Sequence, residues 1–318
     1  MSAFKTFFAV PAVKLLLRAL VTTAILVFIV RSINAQQAWR VMVNARADLL
    51  VAALVLQFVS TAISAYRWQL IMCNLQFDQS FTFYWRSYFK GMFFNQGLPT
   101  SIGGDAMRVL DVAGLGFRKR DAFYGVAIDR IAGLAALILL TLVANVVNTS
   151  LLPAPVYRLM LSLTVLGLLG IASLLVLKRL SWFDRYPQLA FVKAISDHLD
   201  LAFAHRRWML LILSLLVPVF ALLGFYAIGW ALGLRFDLMT YFAIVPPALV
   251  MTIIPASIAG WGVREGALVG LFSLIGADKT VVLMMSLLYG LTLIIVSIPG
   301  LIVFLQGRHS TPAKLSAR

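Results

Sequence analysis

The long apolar runs decide what this chain can fold into. Crossing the hydrocarbon layer of a bilayer takes about 20 apolar residues at 1.5 Å of rise per residue. Runs at about 15–30, 49–66, 122–147, 156–177, 208–233 and 280–304 reach or approach that length. A transmembrane β-barrel needs short segments that alternate between a lipid face and a polar lumen. These runs do not alternate, so each is predicted to satisfy its own backbone as a helix. Charged residues make up 12% of the chain, about half the soluble average, and the mean hydropathy is +0.95. A soluble domain of 318 residues has no core large enough for that apolar surface. The chain reads as an all-α polytopic membrane protein, a single integral membrane domain over residues 1–318. The run Leu15–Val30 has no small-x-small cleavage site behind it and reads as a signal anchor.

Two further apolar stretches, 82–118 and 238–276, are interrupted in the middle. The first break is Asn95-Gln96-Gly97-Leu98-Pro99-Thr100-Ser101-Ile102-Gly103-Gly104-Asp105, and the second is Ile254-Pro255-Ala256-Ser257-Ile258-Ala259-Gly260-Trp261-Gly262. Proline removes a backbone donor and glycine loosens a helix, so neither stretch is expected to be one helix. Irregular backbone at membrane depth must be buried in protein or face water. Each break therefore predicts a re-entrant hairpin or a discontinuous helix. With Pro99 set over Pro255, PTSIGGDAMR stands against PASIAGWGVR and agrees at five positions, which pairs Arg108 with Arg264. The expectation is six full spans plus two broken segments in an inverted repeat, with repeat-like units at about 80–147 and 238–304.

The net charge of +15 would suggest nucleic acid as a partner in a soluble protein. Here the basic residues gather in loops, at 118–120 and 178–207, so they read as orientation signals and no nucleic-acid partner is expected. The positive-inside bias places those loops and both termini in the cytoplasm of a cell with this chain in its inner or plasma membrane. Arg31, Arg40 and Arg46 in the predicted outer loop run against the bias. Residues 181–207 mix charges with Trp182, Phe183, Tyr186, Phe191 and Phe203, which fits a helix on the cytoplasmic surface or a plain connecting helix. Cys73 is the single cysteine, and His198, His205 and His309 have no metal-binding spacing, so neither metal nor cofactor is expected.

Ionisable residues are expensive at membrane depth, and the sequence keeps Arg86, Lys90, Asp105, Arg108, Asp111, Asp129, Arg130, Arg264 and Glu265 there. Arg108 and Arg264 follow the two breaks, in the first turns of the helical legs that restart inside the membrane. Such helix starts aim free N–H groups and a positive dipole inward. Arginine takes phosphate or carboxylate through a planar fork. Together these features predict a mid-membrane site for an anionic headgroup, formed by Arg108, Arg264, Asp105, Glu265, Asp129 and Arg130 with Asn95, Pro99, Gly103, Gly104 and Pro255 of the breaks, and with Asp105, Asp129 and Glu265 balancing the arginines. Plainer readings stand beside it. Asp105 suits an N-cap, Asp129 and Arg130 suit structural ion pairs, Arg86 and Lys90 suit snorkelling, and Arg264 with Glu265 suits an internal pair.

In order along the chain, Leu98-Pro99, Gly103-Gly104-Asp105, Arg108, Asp129-Arg130 and Gly262-Val263-Arg264-Glu265 resemble the lysylphosphatidylglycerol synthase transmembrane-region family, also described as flippase-like domain proteins. Thr100 stands where that family often has glycine, and Asp129 where it often has glutamate. The resemblance implies movement of a phospholipid between leaflets by the membrane region. It also implies that lysyl transfer needs a cytoplasmic aminoacyl-transferase domain, which is not expected in a chain ending at Arg318. Some standalone members are linked with glycolipid or polyprenyl-linked sugar pathways. The resulting expectation is a non-enzymatic lipid translocase for an anionic phospholipid or polyprenyl-phosphate-linked lipid, with a separate synthase or glycosyltransferase as partner. The alternatives are a membrane-embedded glycosyl or phosphoryl transferase and a non-catalytic member of an envelope complex.

Overall fold

A computed structural model describes residues 27, 34–97, 103–177, 190–252 and 260–307. Among these it contains eleven helices and no strand: α1 (Ala35–Val43), α2 (Ala47–Asn74), α3 (Phe81–Gly97), α4 (Gly103–Ala113), α5 (Lys119–Val147), α6 (Ala154–Leu177), α7 (Ala190–Ala202), α8 (Arg207–Ala231), α9 (Leu238–Met251), α10 (Val263–Ser273) and α11 (Lys279–Gly307). Five of them, α2, α5, α6, α8 and α11, are long and apolar enough to cross a membrane, so the chain is a multi-pass membrane protein. The run at 15–30 apart from Val27, and Pro99, Pro255, Trp182, Phe183, Tyr186 and the tail beyond 307, lie outside the described residues. α2 continues to Asn74, eight residues past the end that hydropathy suggested. Trp68, Leu70, Ile71 and Met72 are buried there and carry the helix on beyond Arg67.

Each interrupted stretch contains two separate helices that pack side by side in opposite directions. In the first, Gly91 of α3 meets Gly104 of α4, and nearer the other end Ser87 and Lys90 reach Asp111. In the second, Thr252 of α9 lies against Gly260, and Tyr241 meets Phe272 edge-on at 5.5 Å. Both hairpins begin with a side-chain cap. Ser80 Oγ accepts from the Phe83 N–H at 3.3 Å, and Asp237 Oδ1 accepts from the Thr240 N–H at 3.1 Å. Both end in a glycine with positive φ, Gly116 at 94° and Gly276 at 80°, a conformation that other residues adopt only with strain.

The helix packing is unchanged when α2 is exchanged with α8, α3 with α9, α4 with α10 and α5 with α11. α2 and α8 pack on each other, α3 lies on α11 as α9 lies on α5, and α4 lies on α5 as α10 lies on α11. α1 rests on α11 as α7 rests on α5. The equivalent helices α2 and α8 run antiparallel. Arg46 N–H donates to the Ala231 carbonyl at 3.1 Å, Gly224 faces the Ala53 carbonyl, and Ser60 Oγ donates to the Val217 carbonyl at 2.8 Å. Detail repeats as well. The Tyr84 hydroxyl donates to the Phe77 carbonyl at 2.5 Å, and the Tyr241 hydroxyl donates to the Leu234 carbonyl at 3.1 Å, each seven residues back.

The register of this exchange corrects the sequence overlay. α4 starts at Gly103 and α10 at Val263, Gly116 matches Gly276, and α5 starts at Lys119 and α11 at Lys279, a common offset of 160 residues. Asp105 and Glu265 are then equivalent, each the third residue of its helix. Arg108 matches Leu268, one helical turn beyond Arg264. The overlay on Pro99 and Pro255 matched identities inside glycine-rich breaks, whereas the helix starts and the closing glycines set the spatial register.

Candidate functional site

A cavity of about 620 Å³ opens between α2, α3, α4, α5, α8, α9 and α11. Its α2 wall is a polar stripe on an otherwise apolar span, Gln57, Ser60, Thr61, Ser64 and Arg67, spaced so that all five share one helix face. α4 comes within reach because its partner contact on α3 is glycine on glycine. A Cβ on Gly104 would stand 1.9 Å from the Gly91 carbonyl oxygen. The Gly104 N–H, unpaired within its own helix, donates to Asn95 Oδ1 at 2.8 Å.

Five charged side chains form an alternating chain along this cavity. Arg67 donates to Asp129 through Nε at 2.9 Å and to the Asp129 backbone carbonyl through Nη2 at 3.0 Å. Arg108 Nη2 takes the other Asp129 oxygen at 2.8 Å, and its Nη1 reaches Asp105 at 3.3 Å. Arg130 grips Asp105 with a fork, Nε at 2.8 Å and Nη2 at 3.1 Å. The side chains of Arg67, Arg108 and Asp129 are 4%, 4% and 2% exposed, whereas Arg130 is 52% exposed at the cavity wall. Three guanidinium groups face two carboxylates, so the chain carries one surplus positive charge.

Packing fixes the buried arginines. The Arg108 guanidinium lies 4.1 Å over the Trp68 ring and 4.6 Å over Tyr88, both cation–π contacts. Gly133 leaves the room that Arg67 occupies, since a Cβ there would be 3.3 Å from Nη2. Even so, Arg67 Nη1 and Arg108 Nε are buried without a hydrogen-bond partner among the described residues. Buried donors are nearly always satisfied, and both side chains line the cavity. Two unpaired buried N–H groups and a net positive charge thus sit in the wall of this cavity, an arrangement that suits an anionic oxygen ligand.

Of the residues expected from sequence, Asp105, Arg108, Asp129, Arg130 and Asn95 line the cavity together. Gly103 and Gly104 start α4. Arg264 and Glu265 form a separate closed cluster. Glu265 is fully buried, accepts from Arg264 Nη2 at 2.6 Å, from Ser286 Oγ at 2.9 Å, and from the Gly262 N–H at 2.6 Å. Arg264 is therefore not among the cavity-lining residues, and the structure does not bring it beside Arg108. Among the described residues it approaches the cavity through Tyr289, whose ring lies 5.8 Å from its guanidinium and whose hydroxyl donates to Gln57 Oε1 at 3.0 Å. Lys90 is not free to snorkel, because it pairs with Asp111, which also accepts from Ser87 at 2.7 Å. Sequence reasoning missed Arg67. The polar spacing from Gln57 to Ser64 pointed at it, but hydropathy ended the span at residue 66. Among the described residues no group of His, Cys, Asp and Glu could hold a metal ion.

Fold and site together define a polytopic helical membrane protein with a buried, net-cationic cavity. The family model described as lysylphosphatidylglycerol synthase TM region matches residues 15–300, and the chain belongs to that family, the membrane part of a lipid-modifying protein. No curated protein matches it.

Proposed function

We propose that the chain binds the phosphate of an anionic lipid headgroup in the arginine cavity and carries that lipid between leaflets. One observation carries this reading: Arg67 and Arg108 keep unpartnered buried N–H groups on a cavity that already holds a surplus positive charge. Asp105 and Asp129 are both engaged by arginine, so no free carboxylate waits for an ammonium. The site therefore favours a net-anionic headgroup, such as phosphatidylglycerol or a polyprenyl phosphate, over an aminoacylated one whose phosphate is offset by ammonium.

Alternating access supplies the movement. At 11 residues each, α4 and α10 are about 16 Å long, too short to cross the hydrocarbon layer alone. Each hairpin is read as re-entrant. The second half then has three spans, α6, α8 and α11, an odd number that leaves equivalent elements inverted. The antiparallel run of α2 against α8 supports that reading. With the run at 15–30 as a sixth span, the basic loops and both termini lie in the cytoplasm and the chain sits in a cell membrane. A separate synthase or glycosyltransferase would supply or consume the lipid.

Leaflet exchange in proteoliposomes tests this, using labelled phosphatidylglycerol, phosphatidylcholine and a polyprenyl phosphate. The expected result is faster exchange of phosphatidylglycerol or the polyprenyl phosphate than of phosphatidylcholine, lost in Arg130→Gln protein that keeps its wild-type unfolding temperature. Exchange that does not depend on Arg130 or on headgroup charge would overturn the proposal.

A further inference from the structure

The opposite end of the bundle from Arg118, Lys119 and Arg120 carries a second basic pocket, of about 340 Å³, which the central cavity does not use. It lies where α1, the start of α2 and the α8–α9 turn meet, and Arg40, Arg46 and Arg235 line it with Asn44 and Trp230. The hydrogen bond from the Arg46 N–H to the Ala231 carbonyl ties α2 to α8 and fixes its floor. The Arg235 guanidinium rests 4.6 Å over the Trp230 ring. Trp230 is held in turn by its Nε1–H, which donates to the Phe236 carbonyl at 3.1 Å.

Among the described residues no acidic side chain lines this pocket. Arg46 pairs with Asp48 at 2.5 Å, but both are more than half exposed, and such pairs are weak. Arg40 and Arg235 have no carboxylate partner among the described residues. The pocket sits where two candidate spans, α2 and α8, end, and the ends of helices that cross a bilayer meet its headgroups. Beside it α1 exposes Trp39 (71%) and Val43 (64%), the aromatic and apolar surface of a helix lying in the membrane interface. Three arginines at the end opposite the basic loops also run against the bias that concentrates Lys and Arg on one side of a membrane. Orientation does not account for them, and a ligand does.

We propose that this pocket binds the phosphate of an anionic phospholipid from the leaflet at that end, held by the guanidinium forks of Arg40 and Arg235. The site is independent of the central cavity and of translocation.

Photo-crosslinking tests it in liposomes of phosphatidylcholine containing phosphatidylglycerol with a diazirine in its headgroup. A phosphatidylcholine probe of the same design serves as control, and labelled peptides are mapped by mass spectrometry. The anionic probe is expected to label peptides around 40–46 and 230–235 well above the control. Labelling should fall at least about tenfold in Arg40→Gln/Arg235→Gln protein, since one charge-assisted contact alone is worth about that much. The Arg40→Lys/Arg235→Lys protein should keep part of it, and Arg130→Gln should keep all of it even if the central cavity fails. Equal labelling by both probes, or labelling unchanged in the double glutamine variant, would overturn the proposal. Complete competition by glycerol 3-phosphate would overturn the lipid assignment in favour of a soluble phosphate.

Discussion

Asp129 is the residue on which the buried charge depends. One carboxylate, 2% exposed, neutralises Arg67 from α2 and Arg108 from α4 at once. Removing one member of a buried pair leaves an uncompensated charge and costs roughly 3–5 kcal/mol. Asp129→Ala is expected to lose at least that much, because two arginines are stranded, measured by reversible unfolding in mixed micelles. Replacing Arg130, which is half exposed and forks onto Asp105, is expected to cost much less, because Asp105 keeps Arg108 as a partner. The acidic–basic pair at Asp129 and Arg130 was legible in the sequence as charge held in a span. Its partners were not, because neighbours on a helix face different ways. Asp129 turns to Arg67 and Arg108 while Arg130 turns to Asp105.

The α3–α4 hairpin closes by backbone approach at its break end, where Gly91 meets Gly104, and by side chains nearer the other end, where Ser87 and Lys90 meet Asp111. Gly104→Ala would drive a Cβ into the Gly91 carbonyl and should separate the hairpin, abolishing folded protein or lowering its unfolding temperature strongly. Gly170→Ala in α6 meets nothing within 4 Å and should be neutral or slightly stabilising, because alanine favours helix over glycine by about 1 kcal/mol. Comparing the two by thermal unfolding separates packing from propensity. The breaks themselves announced the hairpins, since glycine and proline interrupt otherwise apolar stretches. The sequence could not announce their register. Asp105 and Glu265 are matched by where the helices start and where Gly116 and Gly276 close them, and those are properties of the folded turns.

For the whole molecule, exchange of equivalent helices relates one set of elements to the other, yet their charges have diverged. The first hairpin's Asp105 and Arg108 line the cavity, while the second's Arg264 and Glu265 are closed on each other and on Ser286. The proposed inversion predicts that Leu115→Cys and Leu274→Cys, both 45% exposed at the two hairpin ends, react with an impermeant thiol reagent from opposite sides of the membrane in protein lacking Cys73. Labelling of both from one side would contradict it. Equilibrium binding of short-chain phosphatidylglycerol to purified protein tests whether the alternating arginine–aspartate chain binds a headgroup phosphate. Arg130→Gln should weaken binding roughly tenfold, about 1.4 kcal/mol, by removing the surplus positive charge. Asp105→Asn should strengthen it, by freeing guanidinium groups for the ligand. If both substitutions weaken binding, or neither changes it, the charge chain is structural and the account is wrong.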